Sequence, residues 1–159
     1  MGQENDERQV VARNRRARHD YEVLDTFEAG IALLGPEVKS LRNGKASLTD
    51  GYALIRRGEV FLANVHIGPY DKAWRENVEP RRERKLLLHR AEISRLTSKL
   101  AERGLTLIPL QLYFKNGRAK VEVGLCRGKR RYDKREAIRK REMDRDLQRA
   151  LRGRGRRGA

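Results

Sequence analysis

The 159-residue sequence predicts a small antiparallel β-barrel with helices at its joints and a basic C-terminal extension. Three observations lead there. Short runs rich in β-branched and aromatic residues recur between Tyr21 and Cys126, several of them alternating apolar with polar. Two of the breaks between runs, Arg57-Gly58-Glu59 and Asn116-Gly117, have the composition of tight hairpin turns. Charge is also unevenly spread: of the net +16, residues 127–159 supply 15 Lys/Arg against 5 Asp/Glu.

Residues 1–13 are polar and without period through residue 12, and read as a flexible arm. Asn14-Arg15-Arg16-Ala17-Arg18-His19-Asp20-Tyr21 is a dense basic cluster leading into the first strand, Tyr21 to Glu28. Ala29-Gly30 breaks that strand, and Ile31 to Leu34 resumes as a buried run. Gly35-Pro36-Glu37 opens a short helix, since proline lacks an N–H that the first turn leaves unpaired and Glu37 suits the dipole. Val38 and Leu41 form its inner face, Lys39, Arg42 and Lys45 its outer one, and Gly44 ends it.

Tyr52–Arg56 and Val60–Ile67 form a hairpin, with Phe61, Ala63, Val65 and Ile67 sharing one face of the second strand. A polar loop from Gly68 to Arg84, carrying Trp74, is long enough to be read as functional. Leu86 to Arg103 is the longest helical pattern, with Ile93, Leu96 and Leu100 at helical spacing and Gly104 as the stop. Leu105–Phe114 is a long strand whose Pro109 demands an edge or a bulge. After the Asn116-Gly117 turn, Ala119, Val121, Val123 and Leu125 point inward, with Lys120 and Glu122 outward. About six short strands with helices at the joints suit a closed OB-like barrel over residues 14–127.

Residues 128–159 hold few apolar side chains and cannot offset their ordering entropy alone. They are expected to be disordered when free. Capping-box spacing of Asp133 and Glu136, ion pairs at helical spacing, and the stripe Met143, Leu147 and Leu151 bias them toward helix on a partner. So much positive charge points to a dense polyanion, whose counterions are released on binding. The tail lacks aromatic residues to insert into a bilayer, so no membrane partner is expected. One cysteine excludes an internal disulfide framework, and Cys126 reads as a small buried hydrophobe. No apolar leader is visible, and a cytoplasmic location is expected. No apolar surface stripe calls for a dimer, so a monomer is expected.

Enzyme constellations are missing from the sequence: no phosphate-cradling GxxxxGK[ST], no GxSxG elbow, and three scattered histidines with a lone cysteine. No metal or cofactor is expected. Basic residues do interleave with aromatics, at Arg15/Arg16/Arg18 with His19 and Tyr21, at Arg81/Arg82/Arg84 beyond Trp74, and at Lys129/Arg130/Arg131 with Tyr132. Arginine neutralises phosphate and an aromatic ring stacks an unpaired base. Tyr21 is equally a strand core residue, Trp74 equally a loop pin, and Glu28 by itself reads as a solvated glutamate. An RNA-binding protein is the leading reading. A ribosomal-protein-like subunit and a nucleic-acid enzyme are the competing ones.

Five separated motifs then resemble one family: Asn14–Tyr21, Phe27-Glu28-Ala29-Gly30-Ile31, Glu37-Val38-Lys39-Ser40-Leu41-Arg42, Arg84-Lys85-Leu86-Leu87-Leu88-His89 and Gly128–Arg135. Together, in order from Asn14 to Arg141, they resemble the SsrA-binding protein family, the protein partners of transfer-messenger RNA. The resemblance implies binding to the tRNA-like domain of that RNA, delivery to stalled ribosomes and tagging of the nascent chain. It implies a tail that enters the empty mRNA channel beside the small-subunit decoding centre. The translation elongation factor that carries aminoacyl-tRNA would be met indirectly, through the RNA. Carried over by motif, Asn14, Glu28, Leu87 and Lys120 would touch RNA, and His19 would lie near RNA or the decoding centre. Arg15, Arg16, Arg18, Lys39 and Arg42 would supply the basic surface. Gly128, Lys129, Arg130, Arg131, Tyr132, Asp133, Lys134 and Arg135 would form the ribosomal part of the tail.

Overall fold

A computed structural model describes residues 8–70, 78–128 and 141–152. The chain order is β1 (Gln9–Arg13), α1 (Arg15–Asp20), β2 (Tyr21–Ile31), α2 (Gly35–Arg42), β3 (Ala46–Ser47), β4 (Tyr52–Arg56), β5 (Glu59–Ala63), β6 (His66–Ile67), β7 (Arg84–Leu87), α3 (Arg90–Leu100), β8 (Leu105–Lys115) and β9 (Arg118–Gly128). Six strands run β8-β4-β5-β7-β2-β9, and a β8–β9 pairing closes the ring. β1 adds to β8 outside the ring, and β3 pairs with β6 in a separate two-stranded ribbon. All these pairings are antiparallel, so the expected OB-like barrel of about six strands is the observed architecture.

Three 11-residue strands, β2, β8 and β9, dominate the barrel. β8 and β9 form a hairpin in register from Leu105↔Arg127 to Lys115↔Arg118. Its turn takes Asn116 and Gly117 to φ 51° and 74°, the left-handed conformation that the Asn-Gly pair tolerates. The ladder shifts between Pro109 and Gln111, so Pro109 sits at a bulge on an interior strand. That bulge lets β8 serve two neighbours, β4 at Leu107 and β1 from Gln111 to Phe114. Inside the barrel, Ala29, Leu62, Leu86, Leu107, Leu112, Val121 and Val123 are fully buried, and Leu96 of α3 plugs one end.

Several elements depart from the sequence reading. Gln9–Arg13, assigned to the flexible arm, is a strand, because the second half of β8 would otherwise expose an unpaired edge. The sheet therefore spans Gln9 to Gly128, wider on both sides than the expected barrel of residues 14–127. The basic cluster is a helix, α1, whose N-cap is Asn14. β2 does not break at Ala29-Gly30 but runs through to Ile31, paired with β7 on one side and β9 on the other. Leu86 and Leu87 belong to strand β7 and not to the long helix, since the barrel needs a strand between β5 and β2.

In β5, Val60 and Leu62 point inward, and Phe61 is half-buried beneath the Arg56 guanidinium, 5.3 Å from its ring centre. Of the four residues expected to share one face, Ala63, Val65 and Ile67 are buried and Phe61 is not, and Asn64 at φ 57° interrupts the strand between them. Residues 141–152 are already helical with Met143, Leu147 and Leu151 exposed, where a partner-induced helix is expected. The expectations for Trp74 and for Lys129, Arg130, Arg131, Tyr132, Asp133, Lys134 and Arg135 lie outside the described residues.

Candidate RNA interface

Antiparallel register brings together residues far apart in the chain. Gly30 of β2 faces Leu87 of β7 on one side and Lys120 of β9 on the other, and Lys120 faces Tyr113 of β8. Leu87, Gly30, Lys120 and Tyr113 thus lie in one row across four strands. Glu28, two residues before Gly30, is on the same face of β2. An open groove of about 610 Å³ runs along this row, lined among others by Glu28, Gly30, Leu87 and Lys120.

Glycine at position 30 is needed to make that groove. A Cβ there would stand 3.2 Å from the Leu87 Cβ, tighter than ordinary contact. Without it, Leu87 lies across the β2 backbone and stays 54% exposed. An exposed leucine beside a lysine without an ion-pair partner among the described residues can cover a ribose or base while the ammonium meets a phosphate.

Glu28 is exposed, but it lies inside β2 and its carboxylate has partners. Its Oε2 accepts a 2.6 Å hydrogen bond from the Tyr113 hydroxyl and lies 3.5 Å from the Lys115 ammonium and 3.8 Å from the Arg8 guanidinium. Across the β2–β9 ladder it faces Glu122, a like-charge pair that would repel by itself. Arg8 bridges the two carboxylates, donating to Glu122 at 2.7 Å while its guanidinium lies 4.5 Å from the centre of the Tyr113 ring. The hydrogen bond to Glu122 holds the Arg8 guanidinium above its already high range. Burial, helped by the hydrogen bond to Glu28, pushes the Tyr113 hydroxyl well above its ordinary value, so it remains a donor.

Two helices flank this face with positive charge. On α1, Arg15, Arg16, Arg18 and His19 are exposed. Arg16 pairs with Asp20 at 3.4 Å, Arg18 approaches Glu122 at 3.7 Å, and His19 Nδ1 lies 3.1 Å from Asp20. On α2, the Lys39 ammonium sits 5.4 Å from the Tyr70 ring centre and the Arg42 guanidinium 4.7 Å from that of Phe114, a groove residue. Cations resting on aromatic faces keep their charge while their stems are ordered.

A barrel with a groove of this make-up invites comparison with known proteins. The family model described as SmpB protein matches residues 11–153. The chain belongs to the SmpB family. An SsrA-binding protein of Saccharopolyspora erythraea is 58% identical over 151 residues, covering 95% of each chain. One from Thermobifida fusca is 61% identical over 145 residues, covering 91% of each. A solved structure described as "tmRNA-SmpB: a journey to the center of the bacterial ribosome" has a chain 56% identical, matched with a TM-score of 0.66 over 80% of this chain and 94% of that one.

Within this SmpB fold, the site residues carried over by motif separate into two groups. Glu28, Leu87 and Lys120 line one groove, with Arg42 beside it on Phe114 and Lys39 on the same helix against Tyr70. Asn14 stands apart: it is buried, and its side chain makes its hydrogen bonds inside the protein. Its Oδ1 caps α1 through the Ala17 N–H at 3.0 Å, and its Nδ2 donates to the carbonyls of Leu48 and Pro109 at 3.1 and 3.0 Å. It aims α1 and so sets where Arg15, Arg16, Arg18 and His19 project. Tyr21 resolves as a packing residue, set against the small cluster of Ala17, Ile108, Leu110 and Cys126. Gly128 ends β9 opposite Tyr21.

The cluster Arg81/Arg82/Arg84 is also structural. Arg84 is fully buried, donating to Glu37 at 2.5 Å and to the carbonyls of Val65 and Pro80 at 2.8 and 3.0 Å. Arg82 donates to Glu37 as well, at 2.5 and 3.1 Å, and Arg81 to Asn64 at 2.9 Å. Burial would raise the Glu37 carboxyl, but the hydrogen bonds from Arg82, the Leu34 N–H and Arg84 outweigh it and hold the group below its ordinary value. Spacing along the chain cannot reveal this, because the acid that holds Arg82 and Arg84 lies over forty residues earlier. Tyr113 and Arg8 carry no sequence signal, and Gly30, a glycine inside a strand pattern, marks a close approach to Leu87 and not a break.

Cys126 is fully buried, and burial pushes its thiol up to about 11. Among the described residues, no group of three or more His, Cys, Asp or Glu could hold a metal ion. No described helix is long and apolar enough to cross a membrane.

Proposed function

We propose that this chain binds the tRNA-like domain of transfer-messenger RNA and delivers it to stalled ribosomes for trans-translation, acting in the cytoplasm as a binding protein and not as an enzyme. The observation that carries the reading is the convergence of Glu28, Leu87 and Lys120, from three different strands, on one open groove beside exposed basic helices. That surface offers an acceptor, an apolar contact and cations at once, which suits unpaired or tertiary-folded RNA better than a uniform duplex. The relatives' names, and the 56% identical chain described with transfer-messenger RNA on the ribosome, support the same partner pair. On the ribosome, residues 128–135 and the helix beyond them would engage the decoding centre and the empty mRNA channel.

Fluorescence anisotropy with the labelled tRNA-like domain tests the first step. Lys120→Ala should weaken binding and lower the slope of log affinity against log salt by about 1. Leu87→Ser should weaken binding with the slope unchanged. A parent protein that held this domain no better than an unstructured RNA of equal length would overturn the reading. For the second step, Asp133→Ala/Lys134→Ala should leave RNA affinity intact and abolish tagging in a reconstituted translation system.

A further inference from the structure

We infer that Tyr113 is a positioning residue for RNA recognition, which fixes the Glu28 carboxylate so that one of its oxygens is presented to a hydrogen-bond donor of the RNA, with Arg8 as the clamp that makes this carboxylate tolerable beside a polyanion. The inference rests on the proposed RNA-binding role of the groove. The hydrogen bond from the Tyr113 hydroxyl and the approaches of Lys115 and Arg8 are all to Oε2 of Glu28. Tyr113 is completely buried, so its hydroxyl has one place to point. A carboxylate pinned through one oxygen turns the other outward as a pure acceptor, toward the groove that Glu28 lines.

Charge makes the arrangement necessary. Glu28 and Glu122 face each other across the ladder, and two unneutralised carboxylates would repel phosphate. Arg8 sits between them and over the Tyr113 ring, joining the three groups into one unit. Arg8 lies in the N-terminal segment, just ahead of β1. The donor Glu28 would receive is an N–H of a base edge or a ribose 2′-hydroxyl, the two kinds of donor RNA offers to a carboxylate.

The test is a double-mutant cycle on affinity for the tRNA-like domain, using the full chain and the variants Tyr113→Phe, Glu28→Gln and the pair. Tyr113→Phe keeps the buried ring and removes only the hydroxyl. It should weaken binding about tenfold in the parent background, as expected when a charge-assisted hydrogen bond no longer orients an acceptor, and less than twofold once Glu28 is already Gln. A merely structural tyrosine would give the same loss in both backgrounds, and that result overturns the inference. So does an unchanged affinity for Tyr113→Phe while Glu28→Gln binds poorly, an outcome that leaves the proposed function standing. Failure of the parent protein to bind would instead sink the function itself. Arg8→Ala should weaken binding more at low salt than at high salt, and the opposite trend would count against the clamp. Repeating the cycle on a 2′-deoxy version of the domain identifies the donor: loss of the coupling assigns a ribose hydroxyl, and its persistence assigns a base edge.

Discussion

Glu37→Ala is the most informative single change for the scaffold. Glu37 is buried, and it is the acid that holds Arg84, which has no exposed surface, together with Arg82. Removing it leaves a guanidinium in the interior with only two carbonyl partners, and strips the Leu34 N–H of its acceptor at the start of α2. Breaking a buried pair from one side costs about 3–5 kcal/mol. For a body of this size, between the ranges given for smaller and larger domains, each kcal/mol moves the melting temperature by about 3–5 °C. The expected drop is therefore about 9–25 °C, read by circular dichroism. Replacing both partners, as Glu37→Ala/Arg84→Met, removes the stranded charge and should recover about 2 kcal/mol relative to the sum of the singles. Acidity supplies a second signature. The folded carboxyl titrates below its unfolded value of 4.5, so its stabilisation is fully present above about pH 5 and fades as the pH falls through the folded value. The gap between parent and Glu37→Ala should close over that same window. A melting temperature within about 3 °C of the parent at pH 7, or no coupling in the cycle, would refute the reasoning.

Three further outcomes follow from the packing. Asn14→Ala should cost about 2–3 kcal/mol in urea unfolding, because a cap and two bonds to buried carbonyls are lost together, whereas Arg15→Ala should stay within about 0.5 kcal/mol. Gly51→Ala should cost about 1–3 kcal/mol in the same assay, since its Cβ would stand 2.5 Å from Val65 Cγ2 and 3.0 Å from Pro109 Cγ. Cys126 should be inert to a thiol reagent at pH 8 in the folded protein and react promptly in denaturant, because burial hides the sulfur and pushes its ionisation up to about 11.

The elements that were legible in the sequence are those whose causes are local. The Asn116-Gly117 turn, the helix opened by Pro36 and the bulge at Pro109 each follow from one or two residues whose backbone freedom is unusual, whereas the long helix ends at Leu100, short of the expected stop at Gly104. Alternation in β9 holds because both faces of that strand have fixed surroundings, the core on one side and the Glu122–Lys120 surface on the other. The elements that were misread are those created by a distant partner. Gln9–Arg13 looks like a polar arm until β8 offers it an edge, and Leu86-Leu87 fits a helix until β5 and β2 claim it as a strand.

The sequence by itself determined the class of protein: a barrel-sized β-scaffold, a concentration of positive charge at one end, and motifs specific enough to point to one family. Only the tertiary structure decided which charged residues are available to a partner. Arg84 and Asn14 are consumed inside, while Leu87 is held out beside Gly30 and Lys120 lines the groove. The physical reason is that a polar side chain's role depends on whether its hydrogen bonds and charge are satisfied within the fold. Those partners are set by strand register across the barrel, which no local stretch of sequence encodes.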